Sequence, residues 1–113
     1  MSKKYNQLPQ VAFAILLALS LKPRHGYEIM KQVAEDSGGK IKLGPGALYT
    51  SIKQLNEQGL IEEVDADADS RRRYYRLSGL GKKMLGAELK YYETTVELAR
   101  SRRVLTMEPG YAY

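Results

Sequence analysis

Leu48, Ile52 and Leu55 recur at i, i+4 and i+7 between a proline at position 45 and a glycine at position 59. This spacing makes a single apolar stripe on a helix. It leaves Ala47, Thr50, Lys53, Gln54 and Glu57 on the other faces, for solvent or a partner. Pro45 suits the first turn and Gly59 the C-terminal stop. Leu60 to Val64 and Arg73 to Leu77 are then rich in branched and aromatic residues, and the spacing predicts two short strands joined by a polar loop. A helix running directly into a hairpin is the order that a winged helix requires.

Two helical segments are predicted upstream. Val11 to Leu19 is unbroken apolar sequence, so every face of that helix needs cover, from the chain's own core and from a second subunit. Gly26 to Ser37 is amphipathic, with Tyr27, Ile29, Met30 and Val33 interleaved with Glu28, Lys31 and Gln32. Lys22, Pro23, Arg24 and His25 break the chain before it, and Gly38 and Gly39 after it. Ile41 and Leu43 give either a brief strand or an extended lead into the third helix. The predicted order is helix, helix, helix, hairpin, helix, with the second and third forming a helix-turn-helix.

From Ser78 to about Thr106 helical composition returns. Leu85, Leu89, Tyr92, Val96 and Ala99 alternate steps of four and three, the narrow seam of a helix packed lengthwise on another. Two heptads are too few for an independent coiled coil, and Gly79, Gly81 and Gly86 are expected to weaken the start, each by roughly 0.5 to 1 kcal/mol. The seam therefore needs a partner surface, and the first helix is the candidate. The expected fold is α+β, mostly α: a winged helix-turn-helix over residues 1–77, a dimerisation helix over 78–106 and a loose tail over 107–113, in one compact unit. The expected interface comprises Val11, Ile15 and Leu19 with Leu85, Leu89, Tyr92 and Val96. A 113-residue chain buries only about 60 to 70% of its unfolded surface, so an oligomeric contact adds stability.

The formal charge is +5, and six cations with no acid lie between Arg71 and Lys83. Such a cluster on a hairpin is either a solubilising patch or a footprint for phosphate, whose neutralisation releases condensed counterions. Its place beside the third helix favours phosphate, and Tyr49, Thr50 and Ser51 add hydroxyl donors. Other chemistry fits less well. Asp65-Ala-Asp-Ala-Asp69 starts like a calcium loop, but Ser70 stands at its glycine position and Arg76 at its bidentate glutamate. His25 is the sole histidine and has no nucleophile nearby, so a capping or helix-orienting role is expected. Gly44-Pro-Gly46 lacks the preceding strand and following lysine of a phosphate-binding loop. Of the nine tyrosines, Tyr74 and Tyr75 fall on alternate faces of a strand, as packing residues do. No cofactor, metal or catalytic residue is expected. Cysteine is absent, compatible with a reducing cytoplasm, the expected location. Lys3 and Lys4 before an apolar run imitate a secretory signal, but Pro9 and Gln10 interrupt it and Lys22-Pro23-Arg24-His25 replaces the cleavage site. The run is also too short to span a bilayer, which needs about 20 apolar residues.

The sequence GPGALYTSIKQLNEQGLI from Gly44 to Ile61, with His25-Gly-Tyr-Glu-Ile29 upstream and Arg71-Arg-Arg-Tyr-Tyr-Arg-Leu-Ser78 downstream, resembles the PadR family of bacterial transcriptional regulators. The resemblance runs from about Leu8 to Leu89 and carries three motifs in order. It implies a winged helix-turn-helix and a C-terminal helix that exchanges contacts with the partner's first helix. It further implies a homodimer that usually represses transcription, bound to two-fold related half-sites of double-stranded DNA. Gly46, Ala47, Tyr49, Thr50 and Lys53 are implied at or near the DNA, with Arg71, Arg72 and Arg73 on the wing. The polar face of the helix adds Gln54. Relatives often respond to hydrophobic or phenolic small molecules, although this chain has no tryptophan to form stacking plates. It departs from many relatives at Thr50, where they carry proline, and at Asn56, where they carry glutamate. Asp65, Asp67 and Asp69 at the wing tip would repel phosphate. A different class of function, a winged-helix module whose basic face binds an acidic protein, stays open at this point.

Overall fold

The computed structural model describes residues 8–64 and 72–105. Helix α1 (Gln10–Ala18) lies at the centre and touches every other helix. Ile15, Leu16, Ala18 and Leu19 are buried there, while Val11, Phe13 and Leu17 are only half-covered. Arg24 is buried as well, and its Nε donates to the Ala18 carbonyl at 2.8 Å. That bond satisfies one of the carbonyls a helix end leaves without a partner.

The segment expected only as a break contributes a strand, β1 (Arg24–His25), paired antiparallel with β3 (Tyr74–Leu77). With β2 (Ile61–Val64) the sheet order is β1-β3-β2. Two residues carry no periodicity, which is why pattern reading could not find β1. His25 also caps α2 (Gly26–Asp36): its backbone N–H donates to Glu28 Oε1 at 3.2 Å, and its Nδ1 accepts from the Glu28 N–H at 3.4 Å. This reciprocal capping box is the expected helix-orienting role. Gly38 and Gly39, both at positive φ, end the helical run. Ile41 and Leu43 form no strand; the segment leading into α3 has no regular structure.

Helix α3 (Pro45–Glu57) buries Leu48, Ile52 and Leu55, as the spacing requires. It stops at a Schellman motif, in which Gly59 (φ 76°) donates to Asn56 O at 3.0 Å and Leu60 to Leu55 O at 2.9 Å. β2 and β3 pair from Ile61↔Leu77 to Val64↔Tyr74. Tyr75 and Leu77 face the core, with Tyr74 and Arg76 on the alternate face.

Ser78 ties the hairpin to α4 (Gly79–Ser101). Its hydroxyl donates to Gly59 O at 2.6 Å and accepts from the Gly81 N–H at 2.9 Å. Gly81 corrects the expectation that it merely weakens the helix, since a Cβ there would run into the Leu60 carbonyl. Only glycine allows α4 to lie so close to the hairpin. The helix ends five residues before the expected Thr106, at a Schellman motif whose left-handed residue is Arg103 (φ 62°). No glycine marks that stop, so the sequence concealed it. The expected tail, 107–113, lies outside the described residues.

Candidate nucleic-acid interface

With its stripe committed to the core, α3 turns Gly46, Ala47, Tyr49, Thr50, Lys53 and Gln54 outward, all exposed. Lys53 Nζ lies 3.3 Å from Glu57 Oε2 in an i, i+4 pair with both side chains well solvated. Such a pair is worth only about 0.3 to 0.5 kcal/mol, so a phosphate or base edge can displace the carboxylate.

The cations of the wing are less uniform than their run in sequence suggests. Arg71 lies outside the described residues, as do Asp65, Asp67 and Asp69. Arg72 Nη1 approaches His25 Nε2 at 3.4 Å, and Arg73 Nε stands 3.7 Å from Glu63 Oε2. Arg76 is held more closely, donating to Glu62 Oε2 at 2.9 Å across the ladder. Lys82 and Lys83 start α4, beyond the opposite end of β3 from the wing loop. The run is therefore split, with Arg72 and Arg73 on the α3 side.

Where α2, α3 and the wing converge there is a cleft of about 690 Å³. His25 and Gly26 line it, and the Tyr49 hydroxyl rests directly on Gly26, where a Cβ would displace it. The His25 ring meets Tyr74 edge-on at 5.2 Å, joining the start of α2 to the wing. Lys31, Arg72 and Arg73 surround the opening with Tyr27, opposed by Glu28. Tyr27 was expected among the apolar residues of α2, but the structure leaves it 65% exposed. Neither Tyr27 nor Lys31 was anticipated at the site. The i, i+4 spacing that places them together outside the Ile29 and Val33 stripe was the available signal. Beneath the wing, burial and then the nearby Glu63 carboxylate raise the Tyr75 phenol above its usual value of 10.0.

The exposed face of α4 has a different character. Of the residues expected at a subunit interface, Ile15, Leu19 and Leu85 are enclosed in the chain's own core and have almost no surface to offer. Val11 is half-buried. Leu89, Tyr92 and Val96 remain about 40% exposed (41%, 40% and 39%) along a groove on α4 that Glu93, Glu97 and Arg100 flank. Phe13 of α1 packs edge-on against Tyr92 at 5.3 Å. The Tyr92 hydroxyl donates to Glu88 Oε2 at 3.1 Å, and this bond raises its pKa.

No cluster of metal-ligating side chains occurs among the described residues, and no helix there is long and apolar enough to cross a membrane. The family model of PadR-like transcriptional regulators matches residues 15–87. An uncharacterized protein of Lysinibacillus sphaericus is 30% identical over 88 residues, 75% of this chain and 81% of that protein. A PadR family transcription regulator from Clostridium difficile superposes with a TM-score of 0.71 at 26% identity, over 82% of this chain and 97% of its own. A transcriptional regulator from Clostridium thermocellum does so at 0.67 and 25% identity, over 80% and 90%.

Proposed function

Because the chain belongs to the PadR-like family of transcriptional regulators, we propose that it acts as a homodimeric repressor. Two copies of α3 would enter successive major grooves of a two-fold operator and occlude a promoter. The observation that carries this reading is the division of labour between faces. α3 spends its apolar stripe inside the chain and turns a polar face out beside Arg72 and Arg73, whereas α4 leaves an apolar groove open on another side.

Lys53 and Gln54 are the candidate base readers. Lysine donates to guanine O6 and N7, glutamine pairs with adenine, and the Thr50 methyl can meet that of thymine. Arg71, Arg72 and Arg73 supply sequence-independent affinity through phosphates, and Gly46, Ala47 and Tyr49 bring the start of α3 close to the backbone. Across the two-fold axis, Leu89, Tyr92 and Val96 pack on Val11 and the half-covered face of the partner's α1. Release comes when a hydrophobic or phenolic small molecule, or another signal, alters the half-site spacing; Phe13 and Tyr92 supply aromatic surface beside the α4 groove for such a molecule.

Titrating salt against duplex affinity tests the reading. Counterion release gives a steep linear fall of log affinity with log salt. A shallow dependence, with tight binding to an acidic protein surface instead, would favour an interaction module over a DNA reader.

A further inference from the structure

His25 is the chain's sole histidine, and its ring is buried where the start of α2 meets the wing. Nδ1 lies 3.4 Å from the backbone nitrogen of Glu28. Nε2 lies 3.4 Å from Arg72 Nη1 and 3.6 Å from Glu28 Oε2. A neutral imidazole has one nitrogen that accepts and one N–H that donates, whereas an amide N–H and a guanidinium only donate. The ring therefore serves the Glu28 N–H or Arg72, but not both. With its acceptor at Nδ1 it caps α2 and turns an N–H toward Arg72; with its acceptor at Nε2 it holds Arg72 and loses the cap. A second proton removes both choices and leaves the Glu28 carboxylate as the acceptor, with an imidazolium beside a guanidinium. Each 3.4 Å contact is long for a hydrogen bond, so little is lost when it is given up. The other half of the capping box survives, because the His25 backbone N–H still donates to Glu28 Oε1 at 3.2 Å.

The charged and titratable groups around the ring come from every element packed on it. α2 contributes Glu28, Tyr27 and Lys31, α3 contributes Tyr49, and the wing contributes Arg72, Arg73 and Tyr74. Arg24, beside it on β1, is committed to the Ala18 carbonyl. A duplex seated on α3 and the wing adds phosphate charge to this balance, and added negative charge favours the protonated ring. We propose that His25 is a positioning residue of the DNA interface, whose ring takes up a proton as duplex binds and passes from Arg72 to the Glu28 carboxylate. The inference rests on the DNA-binding reading above and adds to it a dependence on pH. Arg72 then turns from the ring toward the polyanion, and repulsion from the imidazolium keeps it there. Binding and protonation favour one another to the same degree, so affinity rises as pH falls. Histidine is the side chain that ordinarily changes charge between about pH 5 and 8, which sets the window.

A sole histidine gives a single ring Cε1–H resonance, which NMR can follow in the full-length protein from about pH 5 to 8. It is recorded without and with a duplex selected from a randomised library. Affinity for the same duplex is measured over that range for the parent and for His25→Asn. Asparagine is among the best N-cap residues and does not titrate, so this variant keeps the start of α2. The duplex should displace the parent's ring titration to higher pH. The parent's affinity should rise on acidification by up to roughly tenfold per pH unit, the limit for one proton, and the rise should disappear in His25→Asn. Coincident ring titrations with and without duplex overturn the proton coupling, as does a His25→Asn variant that keeps the parent's pH dependence. If His25→Asn does not fold, the parent's resonance decides alone. A library that yields no bound duplex overturns the DNA-binding reading itself.

Discussion

Helices α3 and α4 carry nearly the same apolar spacing and meet opposite fates. In α3 the stripe of Leu48, Ile52 and Leu55 is enclosed by the chain itself, so what α3 presents outward is mostly small or polar. In α4 the stripe begins enclosed at Leu85 and then runs off the core, leaving Leu89, Tyr92 and Val96 open. A 4-3 spacing therefore states that a helix face needs cover but not who provides it. Cover from within frees the other side of the helix for a polyanion, whereas absent cover points to a second copy.

The comparison breaks most severely if α3 can lose its stripe cheaply. Leu48→Ala should cost about 2 to 5 kcal/mol, as for other buried leucines, measured by urea unfolding. A loss below about 1 kcal/mol would mean the α3 stripe is not committed to the core. Gly81→Ala comes next, at roughly 1 to 3 kcal/mol, because the new methyl must displace α4 from the Leu60 carbonyl. Unaltered stability in a thermal melt would show that α4 approaches the hairpin less closely. For Leu89→Glu the expected change is in assembly: light scattering should fall from dimer to monomer mass. The monomer's own stability should shift by less than about 1 kcal/mol, since the side chain is not in its core. A dimeric mass for that variant would place the interface elsewhere.

These residues also show what the sequence could disclose. The three helices of the winged domain, the hairpin and the buried stripe of α3 follow from periodicity and from Pro45 and Gly59, signals that act locally. Gly81 read as a weakness because its reason lies in the carbonyl of Leu60, a contact across the fold. Strand β1 stayed hidden because two residues cannot alternate convincingly, and the end of α4 because Arg103 takes the left-handed conformation usually left to glycine. At the candidate site, Ala47, Thr50, Lys53 and Gln54 were legible as outward from what the stripe excluded, whereas Gly46 and Tyr49 came from the family resemblance. Tyr27 was misplaced because an aromatic on an amphipathic helix is more often packed than solvated. Ile15, Leu19 and Leu85 were apolar, but pattern alone cannot divide cover between the chain's own core and a second subunit.

A smaller effect, at the wing, appears in the pH dependence of stability. The raised Tyr75 phenol favours the neutral form in the folded chain, so its contribution is complete below pH 10.0, the ordinary tyrosine value. It is lost as pH rises through the higher folded value. Tyr75→Phe should therefore unfold less steeply with pH on the alkaline side than the parent. Identical alkaline limbs would mean that this phenol is not shielded by the hairpin.

Selection of binding sites from a randomised duplex library, with the parent, Lys53→Ala and Gln54→Ala side by side, tests the division between α3 and α4 most directly. The account predicts an inverted repeat for the parent, with half-site centres about one helical turn or a multiple of it apart. Each variant should relax preference at its own base pair, symmetrically in both half-sites, with discrimination there falling by about 1 to 3 kcal/mol. A consensus without two-fold symmetry, or one that both variants recover unchanged with only uniform loss of affinity, would contradict it.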